Sequence, residues 1–574
     1  MGICVLVDEL NRLRKSSSDS IDSEKSFDEF KRYMHIRRNV EDDLKSILRE
    51  VRSSETKTLF LLCGSAGDGK SHMLSYLKNC DEEHLLDGFQ IHNDATESSS
   101  PSKTAIETLN EVLDGFSDEK LEMPGENMIL AINLGVLNNF IESEFGQRFT
   151  RLKEYVESHS ILTSDVVDNH YDESSHFQHV SFADYQLFTL SSSGVRSKYI
   201  EEILKKIFGS EDNSPFLQAF QHGCEQCPLQ KKCPVRYNYM FMQKEIIRKS
   251  VTDLLVRAII KEKEILTTRE ILNYFYDITV PQDFTFNNLN NSLSNTESAL
   301  KLFVADMTPN LIFDQDGVSK LMNIVRRNDP LLERSEAGDD FAVEYYVATD
   351  CSYILKENFK DNEYREYILQ PECIKTINQD REIKAELYRI LVRISAMEKN
   401  NFNDPVYQHY IHDLYLFNAG KRKKLGSIYN AVQKAVMQWC GTDGDHHVCL
   451  NSKNNKYSLY EEVEFEENLE CIPAVNDAEE LQRFTPELRI GFESENHEPV
   501  YLNIDFPLYK LLVRLNNGYV HTASDRNNHA DFISFVNRVL KTGNANNEVF
   551  VLSENGEHSA LRRTKFGYKY EVIR

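Results

Sequence analysis

From Phe27 onward the apolar positions Phe30, Met34, Val40, Leu44, Ile47, Leu48 and Val51 recur near helical spacing, which predicts a helix or helix pair. His35, Arg37 and Arg38 lie on its charged side, which reads either as a solvated face or as a contact to nucleotide or a neighbouring subunit. The rhythm then breaks into short runs. Thr58-Leu-Phe-Leu-Leu62, Phe89-Gln-Ile-His-Asn-Asp94 and Met128-Ile-Leu-Ala-Ile-Asn133 have strand length, and His179 to Leu190 is rich in β-favouring residues. Amphipathic helices are expected from Thr104 to Leu113 and from Lys198 to Phe208. Strands alternating with helices in this way predict an α/β unit.

Helical periodicity governs the middle of the chain. Ile246, Ile247, Val251, Leu254, Leu255, Ile259 and Ile260 mark one long amphipathic helix, and Leu266-Thr-Thr-Arg269-Glu-Ile-Leu272 opens another behind a Thr cap. Residues 281–340 are richer in Asn and Asp and predict a small helical subdomain. Helical spacing returns from Glu382 to Met437, interrupted by the basic run Gly420-Lys-Arg-Lys-Lys424, which is either a solvated loop or a weak contact to a phosphate backbone. From Lys456 the pattern changes to alternation, in Tyr457 to Phe465, Leu488 to Phe492 and Val500 to Ile504. With a helix at Phe532 to Leu540 and strands at Glu548 to Leu552 and Lys569 to Ile573, this predicts an α+β domain suited to docking or recognition.

One stretch organises the rest. Gly64-Ser65-Ala66-Gly67-Asp68-Gly69-Lys70-Ser71 fits the pattern G-x-x-x-x-G-K-S whole, preceded by a strand and followed by the helix start Ser71-His72-Met-Leu. Glycines at 64, 67 and 69 let backbone N–H groups turn inward around a polyphosphate, and the following helix adds its positive end. Lys70 is expected to reach the β- and γ-phosphates and Ser71 to hold the bridging Mg2+. Residues 64–72, His72 included, are thus the expected ATP site. The fold class predicted is an α/β P-loop NTPase core, AAA-like, with a helical lid and cysteine knuckle, followed by a helical region and a C-terminal α+β domain. The expected boundaries are 1–55 for an N-terminal helical arm, whose stretch Ser16 to Ser23 reads as flexible, and 56–210 for the ATPase core. Residues 211–280 form the knuckle and lid, 281–445 the helical region and 446–574 the last domain.

Catalytic candidates cluster at predicted strand ends, where α/β sheets place ligands. Asp94 is the candidate magnesium carboxylate and Glu97 can orient the attacking water, or the two are an ordinary polar strand end and loop. Asn133 either senses the γ-phosphate, as in AAA-type ATPases, or makes a strand-to-helix turn with Gly135. Arg148, Arg151 and Arg196 are candidate trans-acting arginine fingers, and Arg269 matches the lid arginine of AAA-type ATPases or is simply an exposed helix residue.

Cysteine usage and charge change the picture at two points. Eleven cysteines are scattered except for His222-Gly-Cys224-Glu-Gln-Cys227-Pro-Leu-Gln-Lys-Lys-Cys233, whose spacing suits a metal knuckle. Structural Zn2+, an iron–sulfur cluster and unmetallated thiols are all open there, with His222 or a distant Cys as fourth ligand. Asp445-His-His-Val-Cys449 reads as loop histidines in preference to a second site. A net charge of −25 argues against a surface that grips nucleic acid broadly, so DNA contact is expected to be local or through a partner. No apolar run of membrane-spanning length and no signal-like start are present, Leu6 stands where a myristoylation pattern wants Ser or Thr, and a cytoplasmic protein is expected.

In their order these elements resemble the DptF family, the ATPase-like components of DNA phosphorothioation-dependent restriction systems. The resemblance spans most of the length and rests on the loop at 64–71, Asn93-Asp94-Ala-Thr-Glu97, Ile132-Asn-Leu-Gly135, the Cys224, Cys227 and Cys233 cluster, and Leu-Thr-Thr-Arg269. It implies a bacterial defence role beside DptG-like and helicase-like DptH subunits, acting on DNA that lacks the sulfur-for-oxygen backbone mark. The residues themselves contribute nucleotide chemistry; no nuclease cluster of acids with a Lys is apparent. A nucleotide-responsive scaffold without turnover and an AAA-type ATPase of another antiphage system are the alternatives.

Overall fold

The computed structural model describes residues 4–18, 28–65, 67–93, 104–162, 170–292, 295–314, 319–400, 402, 404–442, 447–450, 457–463, 466–494, 497–541, 548–553 and 558–573. The chain divides into two compact units, one of Met1–Phe188, Arg196–Ile259 and Glu264–Asn403, the other of Thr189–Val195, Ile260–Lys263 and Asp404–Arg574. This differs from the five parts expected. The cut falls at 404, not 446, because the helix Gly426–Cys440 packs on Phe506–Asn516, and Pro405–Asn418 packs on that helix too. Periodicity shows that a segment is helical but not which core receives its apolar stripe.

The first unit contains a parallel sheet of β1 (Leu59–Cys63), β2 (Phe89–Asn93), β3 (Asn127–Ile132) and β4 (Phe177–Ser181) in the order β2-β3-β1-β4. β1 is central, in register from Leu59 with Met128 on one side and Phe177 on the other. All five of its residues are buried, because its two faces feed two separate cores. Leu59, Leu61 and Cys63 join Leu109, Leu137, Phe140 and Leu152, while Phe60 and Leu62 join Leu44, Leu48, Met73 and Leu77. A strand covered on both faces needs an unbroken apolar run, which is how Leu59–Cys63 is written.

Helices of this unit include α1 (Val5–Ser18), α2 (Glu29–Met34), α3 (Asn39–Ser53), α4 (Lys70–Cys80), α5 (Ala105–Val112), α6 (Leu134–Ile141), α7 (Thr150–Ser158) and α8 (Lys198–Phe208). They continue with α9 (Pro215–Cys224), α10 (Pro234–Met242), α11 (Glu245–Glu262), whose end passes into the second unit, and α12 (Thr268–Asp277). The expected N-terminal arm is in part a core element: α1 buries Leu6, Leu10 and Leu13 in one cluster with α8 to α12 and the helices up to Glu398. Of the segment Ser16 to Ser23, Ser16 to Ser18 close α1 and the remainder lies outside the described residues. Within the later helices, Arg393 is 1% exposed and its guanidinium meets Asn310, Asp314 and Asp329 at 2.7, 2.8 and 2.6 Å.

The strand expected over His179 to Leu190 is two elements. β4 ends at Ser181, a 3-10 turn takes Phe182–Asp184, and β5 (Thr189–Ser191) with β6 (Gly194–Arg196) forms part of the second unit's sheet β10-β5-β6. The others there are β7 (His447–Cys449), β8 (Tyr457–Glu462), β9 (Glu466–Asn468), β10 (Glu480–Leu481), β11 (Leu488–Ser494), β12 (His497–Ile504), β13 (Glu548–Ser553), β14 (His558–Thr564) and β15 (Gly567–Ile573). They make a β12-β11-β9 sheet and a β15-β14-β13-β8-β7 sheet, both antiparallel, as the alternation after Lys456 requires.

Candidate functional site

The loop leaves β1 at Gly64, whose N–H donates to Ile132 O at 3.2 Å and so ties it to the end of β3. Gly67 and Gly69 have φ of 89° and 97°, left-handed conformations that a side chain disfavours. Gly69 is the N-cap of α4, has no side-chain cap bond among the described residues, and a Cβ built on it would meet none of them within 4 Å. The described residues thus leave room beside Gly69 at the start of α4, and a helix start is a setting that takes an anion. Ala66 lies outside the described residues. Lys70 Nζ donates to Ser65 O at 2.7 Å, and the Asp68 carboxylate accepts from Ser65 N–H, so the loop holds its own cation and anion. Burial raises the Asp68 pKa, against the lowering effect of Ser65 N–H, Lys70 and Arg38.

Arg38 is a functional candidate that the charged-face reading left undecided. Its Nη1 donates to Asp68 O at 3.0 Å, and its guanidinium lies 5.3 Å from the Phe182 ring centroid and 4.9 Å from that of Tyr199. Arg37, by contrast, pairs with half-buried Asp42. His35 stacks on Tyr76 with centroids 3.4 Å apart, approaches His72 at 3.3 Å, and meets Glu41 at 3.2 Å. Lys45 joins Glu41 and Asp81 at 3.1 and 3.3 Å. Burial, and then the neighbouring His35, push His72 down to about 4, so its imidazole is neutral at pH 7. Ser71 and His72, both half-buried, stand in the first turn of α4.

The helix expected to be a lid arrives from far along the chain. A Cβ on Gly67 would lie 3.0 Å from Thr267 Cβ and 3.1 Å from its Cγ2. Thr267 caps α12 through a box in which it accepts from Glu270 N at 3.2 Å and donates its own N–H to Glu270 Oε2 at 2.9 Å. The start of α12 thus rests on the loop, and Arg269 occupies its first turn, half-buried. Thr267 has no motif of its own; the cap pattern Thr-x-x-Glu is its only sequence signal.

Asn133 stands at the end of β3, beside β1, and its Oδ1 accepts from Gly135 N at 2.8 Å, the hydrogen bond of a strand-to-helix turn. β2 reaches Asn93, in register with Ala131, while Asp94 and Glu97 lie outside the described residues. With β3 between them, the ends of β1 and β2 are about 10 Å apart at ~4.8 Å per strand. At the end of β4, Ser181 pairs in register with Cys63 and its hydroxyl is buried without a hydrogen-bond partner among the described residues, and buried Asp184 follows. Neither residue carried a sequence signal. The three finger candidates are engaged within the chain, Arg148 with Asn110 and Asp114, Arg151 with Glu122, and Arg196 with Glu201.

Away from the loop, Cys224 ends α9, Cys227 lies in the following turn with its N–H on Cys224 O at 3.2 Å, and Cys233 is the N-cap of α10. His222 is exposed and two residues from Cys224, about 200° around the helix, so it faces away from that thiol. Among the described residues no three His, Cys, Asp or Glu side chains stand as a ready-made metal site. Lys421 of the basic run pairs with Asp477. His447 lies in β7 stacked on Phe550, and Asp445 and His446 are outside the described residues. No helix among the described residues is long and apolar enough to cross a membrane. No protein-family model matches the chain, and neither a curated protein nor a solved structure matches it.

Proposed function

We propose that residues 64–72 bind MgATP and that the chain hydrolyses it as the ATPase-like component of a DNA phosphorothioation-dependent restriction complex directed at unmarked DNA. The observation that carries the nucleotide reading is the helix start at Gly69, where a Cβ would meet none of the described residues within 4 Å, approached through left-handed Gly67 and Gly69 from the end of a central parallel strand. The open space beside Gly69 suits a polyphosphate, whose oxygens take up the first-turn N–H groups. Lys70, turned onto Ser65 O when no phosphate competes, exchanges that carbonyl for phosphate oxygens. Ser71 and Asp94 are the residues to hold Mg2+, which when bound neutralises charge on the transferring phosphoryl group. Glu97 orients water, Asn133 offers its amide at the neighbouring strand end, and Arg269 reaches the phosphates from the lid. Arg38 fixes the loop through Asp68 O.

One observation favours a second reading, a nucleotide-responsive scaffold with negligible turnover: Arg148, Arg151 and Arg196 are each ion-paired inside their own chain. Steady-state hydrolysis by wild type, Lys70→Ala and Asp94→Ala separates the two. Turnover is expected to fall at least a hundredfold in Lys70→Ala, on the order of the loss of a transition-state cation, and retained turnover removes this site. Co-purification with DptG- and DptH-like subunits, and restriction assays in cells with and without the marking enzymes, separate this system from another antiphage ATPase.

A further inference from the structure

The hairpin of β14 and β15 carries its aromatic side chains in solvent. β15 is the end strand of the sheet β15-β14-β13-β8-β7, and no strand among the described residues pairs with its outer side. Along it Tyr568, Tyr570 and Val572 share one face, each 60–66% exposed, and Phe566 in the turn is 100% exposed. Residues that favour β structure suit an edge strand whatever it does, which accounts for the tyrosines taken alone. It does not account for Phe566, which lies in the two-residue turn Lys565-Phe566 between the paired Thr564 and Gly567. That turn is fixed: Thr564 Oγ1 accepts from Phe566 N–H at 3.3 Å and donates to Gly567 O at 2.6 Å, so the backbone that carries the ring is held in place.

Charge divides between the two faces of the hairpin. Four Lys or Arg and one Glu stand between 558 and 573, in a chain whose net charge is −25. Arg562 and Lys569 lie opposite one another on the face away from the tyrosines, and both are matched: Arg562 meets Glu548 at 2.6 Å and Glu571 at 3.3 Å, and Lys569 meets Glu571 at 2.5 Å. Arg563 lies opposite Tyr568 and shares its face, with Cβ atoms about 5 Å apart, and Lys565 adjoins Phe566 in the turn. Neither has an acidic partner among the described residues. Arg563 is one strand in from the edge, so it is not a charge that guards the edge against other strands. Tyr568 and Tyr570, two residues apart along β15, are about 7 Å apart. That is about twice the ~3.4 Å between stacked bases, so a nucleic-acid strand drawn out of its stack lays one base on each ring and brings its phosphates to the two unmatched cations.

We propose that Phe566, Tyr568 and Tyr570, with Arg563 and Lys565, bind single-stranded nucleic acid, the rings stacking on bases and the cations meeting phosphates. Every base has a π-face, so the surface takes strands of any sequence, while a duplex keeps its base faces covered and offers charge alone. A protein strand added to β15 uses the backbone of the edge but leaves Arg563, one strand in, and Phe566, in the turn, without a role. A second copy of the chain brings another net charge of −25 against the first. A nucleic-acid strand engages rings and cations together. Two cations in so acidic a chain give a weak, local and salt-sensitive grip. The loop at 64–72 takes no part in it, and the inference stands whether or not that loop hydrolyses ATP.

The probe is a fluorescent oligothymidylate of about 12 nucleotides, a length within the reach of one strand-binding fold, titrated with the full chain at low salt and read by anisotropy. Tyr570→Thr, which keeps a β-favouring residue, and Phe566→Ser are each expected to weaken binding about 5–150-fold, the loss of one stacked base. Tyr570→Phe keeps the ring and is expected to bind as wild type does, as is Lys70→Ala. Arg563→Gln with Lys565→Gln is expected to flatten the plot of log affinity against log salt by about 1.4, at ~0.7 per phosphate. Lys423→Gln with Lys424→Gln removes as many charges from the basic run and is expected to leave that slope unchanged. An abasic oligomer with the same phosphates is expected to bind more weakly and not to distinguish Tyr570→Thr from wild type, while an oligouridylate of equal length binds comparably to oligothymidylate. Urea unfolding that matches wild type keeps a lost affinity from being read as a lost fold. A wild type that does not bind oligothymidylate overturns the proposal, as do Tyr570→Thr and Phe566→Ser proteins that bind undiminished, or equal losses in the two glutamine pairs. A wild-type dimer that Tyr570→Thr renders monomeric makes a second copy the occupant and overturns it too.

Discussion

Gly67 and Gly69 make a controlled comparison inside one loop. Both have φ near 90°, so replacement by alanine carries the same left-handed strain, about 1–2 kcal/mol. They differ in surroundings, since a Cβ on Gly69 meets none of the described residues within 4 Å and one on Gly67 meets Thr267 Cβ, Cγ2 and Oγ1 at 3.0, 3.1 and 3.3 Å. Both partners are anchored, one by the loop and the other by a capping box, so a side chain at 67 makes its neighbour give by a few tenths of an ångström, and resistance to that shift adds about 1–3 kcal/mol. Gly67→Ala is thus expected to open the contact between the loop and α12 about 5–150-fold more than Gly69→Ala. Hydrogen exchange of peptides covering 64–80 and 266–277 reads that opening. Thr267→Gly supplies the decisive background, because it deletes all three clashing atoms while glycine at an N-cap costs only about a few tenths of a kcal/mol. In Thr267→Gly protein the difference between the two alanine variants is expected to vanish. Equal exchange for Gly67→Ala and Gly69→Ala in the native background refutes the placement of α12 on the loop, as does a difference that persists without the Thr267 side chain.

Two further outcomes follow from charge and burial. His72 titrates near 4 when folded and near 6.5 when unfolded, so it is indifferent above pH 6.5 and destabilising as pH falls from 6.5 towards 4, where the unfolded chain takes a proton that the folded one refuses. The loss levels off below 4 at up to about 3 kcal/mol, and His72→Gln is expected to lose less stability than wild type between pH 7 and pH 5 in urea unfolding. Arg393→Met leaves Asp314 and Asp329 facing one another without their shared cation, at a cost of about 3–5 kcal/mol, read as a lower urea midpoint; an unchanged midpoint shows that the carboxylates are not held by this arginine.

How far the sequence reached depended on whether a signal was local. The run Leu59–Cys63, the helix Lys198–Phe208 and the Thr267 cap are written in neighbouring residues and fold where their patterns put them. β4 is obscured because Phe-Gln-His-Val-Ser reads half polar, although all five residues are buried; Gln178 donates to Asp172 O at 2.7 Å and His179 meets Tyr155 OH at 2.9 Å, partners that pattern alone does not supply. Leu6, Leu10 and Leu13 do carry helical spacing, but so short a stripe says nothing of the core it joins. At the candidate site the motif residues were legible, whereas Arg38 and Thr267 reach the loop only through tertiary packing.

The small sheet that unites β5 with β10 bears on how the polypeptide is made. Leu190 emerges from the ribosome about 290 residues before its partner Leu481, a span that takes roughly 15 s to a minute of translation at ~5–20 residues per second. Throughout that interval Thr189–Ser191 has a strand edge with no mate, inside a nascent chain whose glycine-rich loop at 64–71 is already complete. Any fragment ending before residue 480 leaves that edge bare for good, so attempts to express the amino-terminal portion alone should remove or shield the hairpin at 189–196.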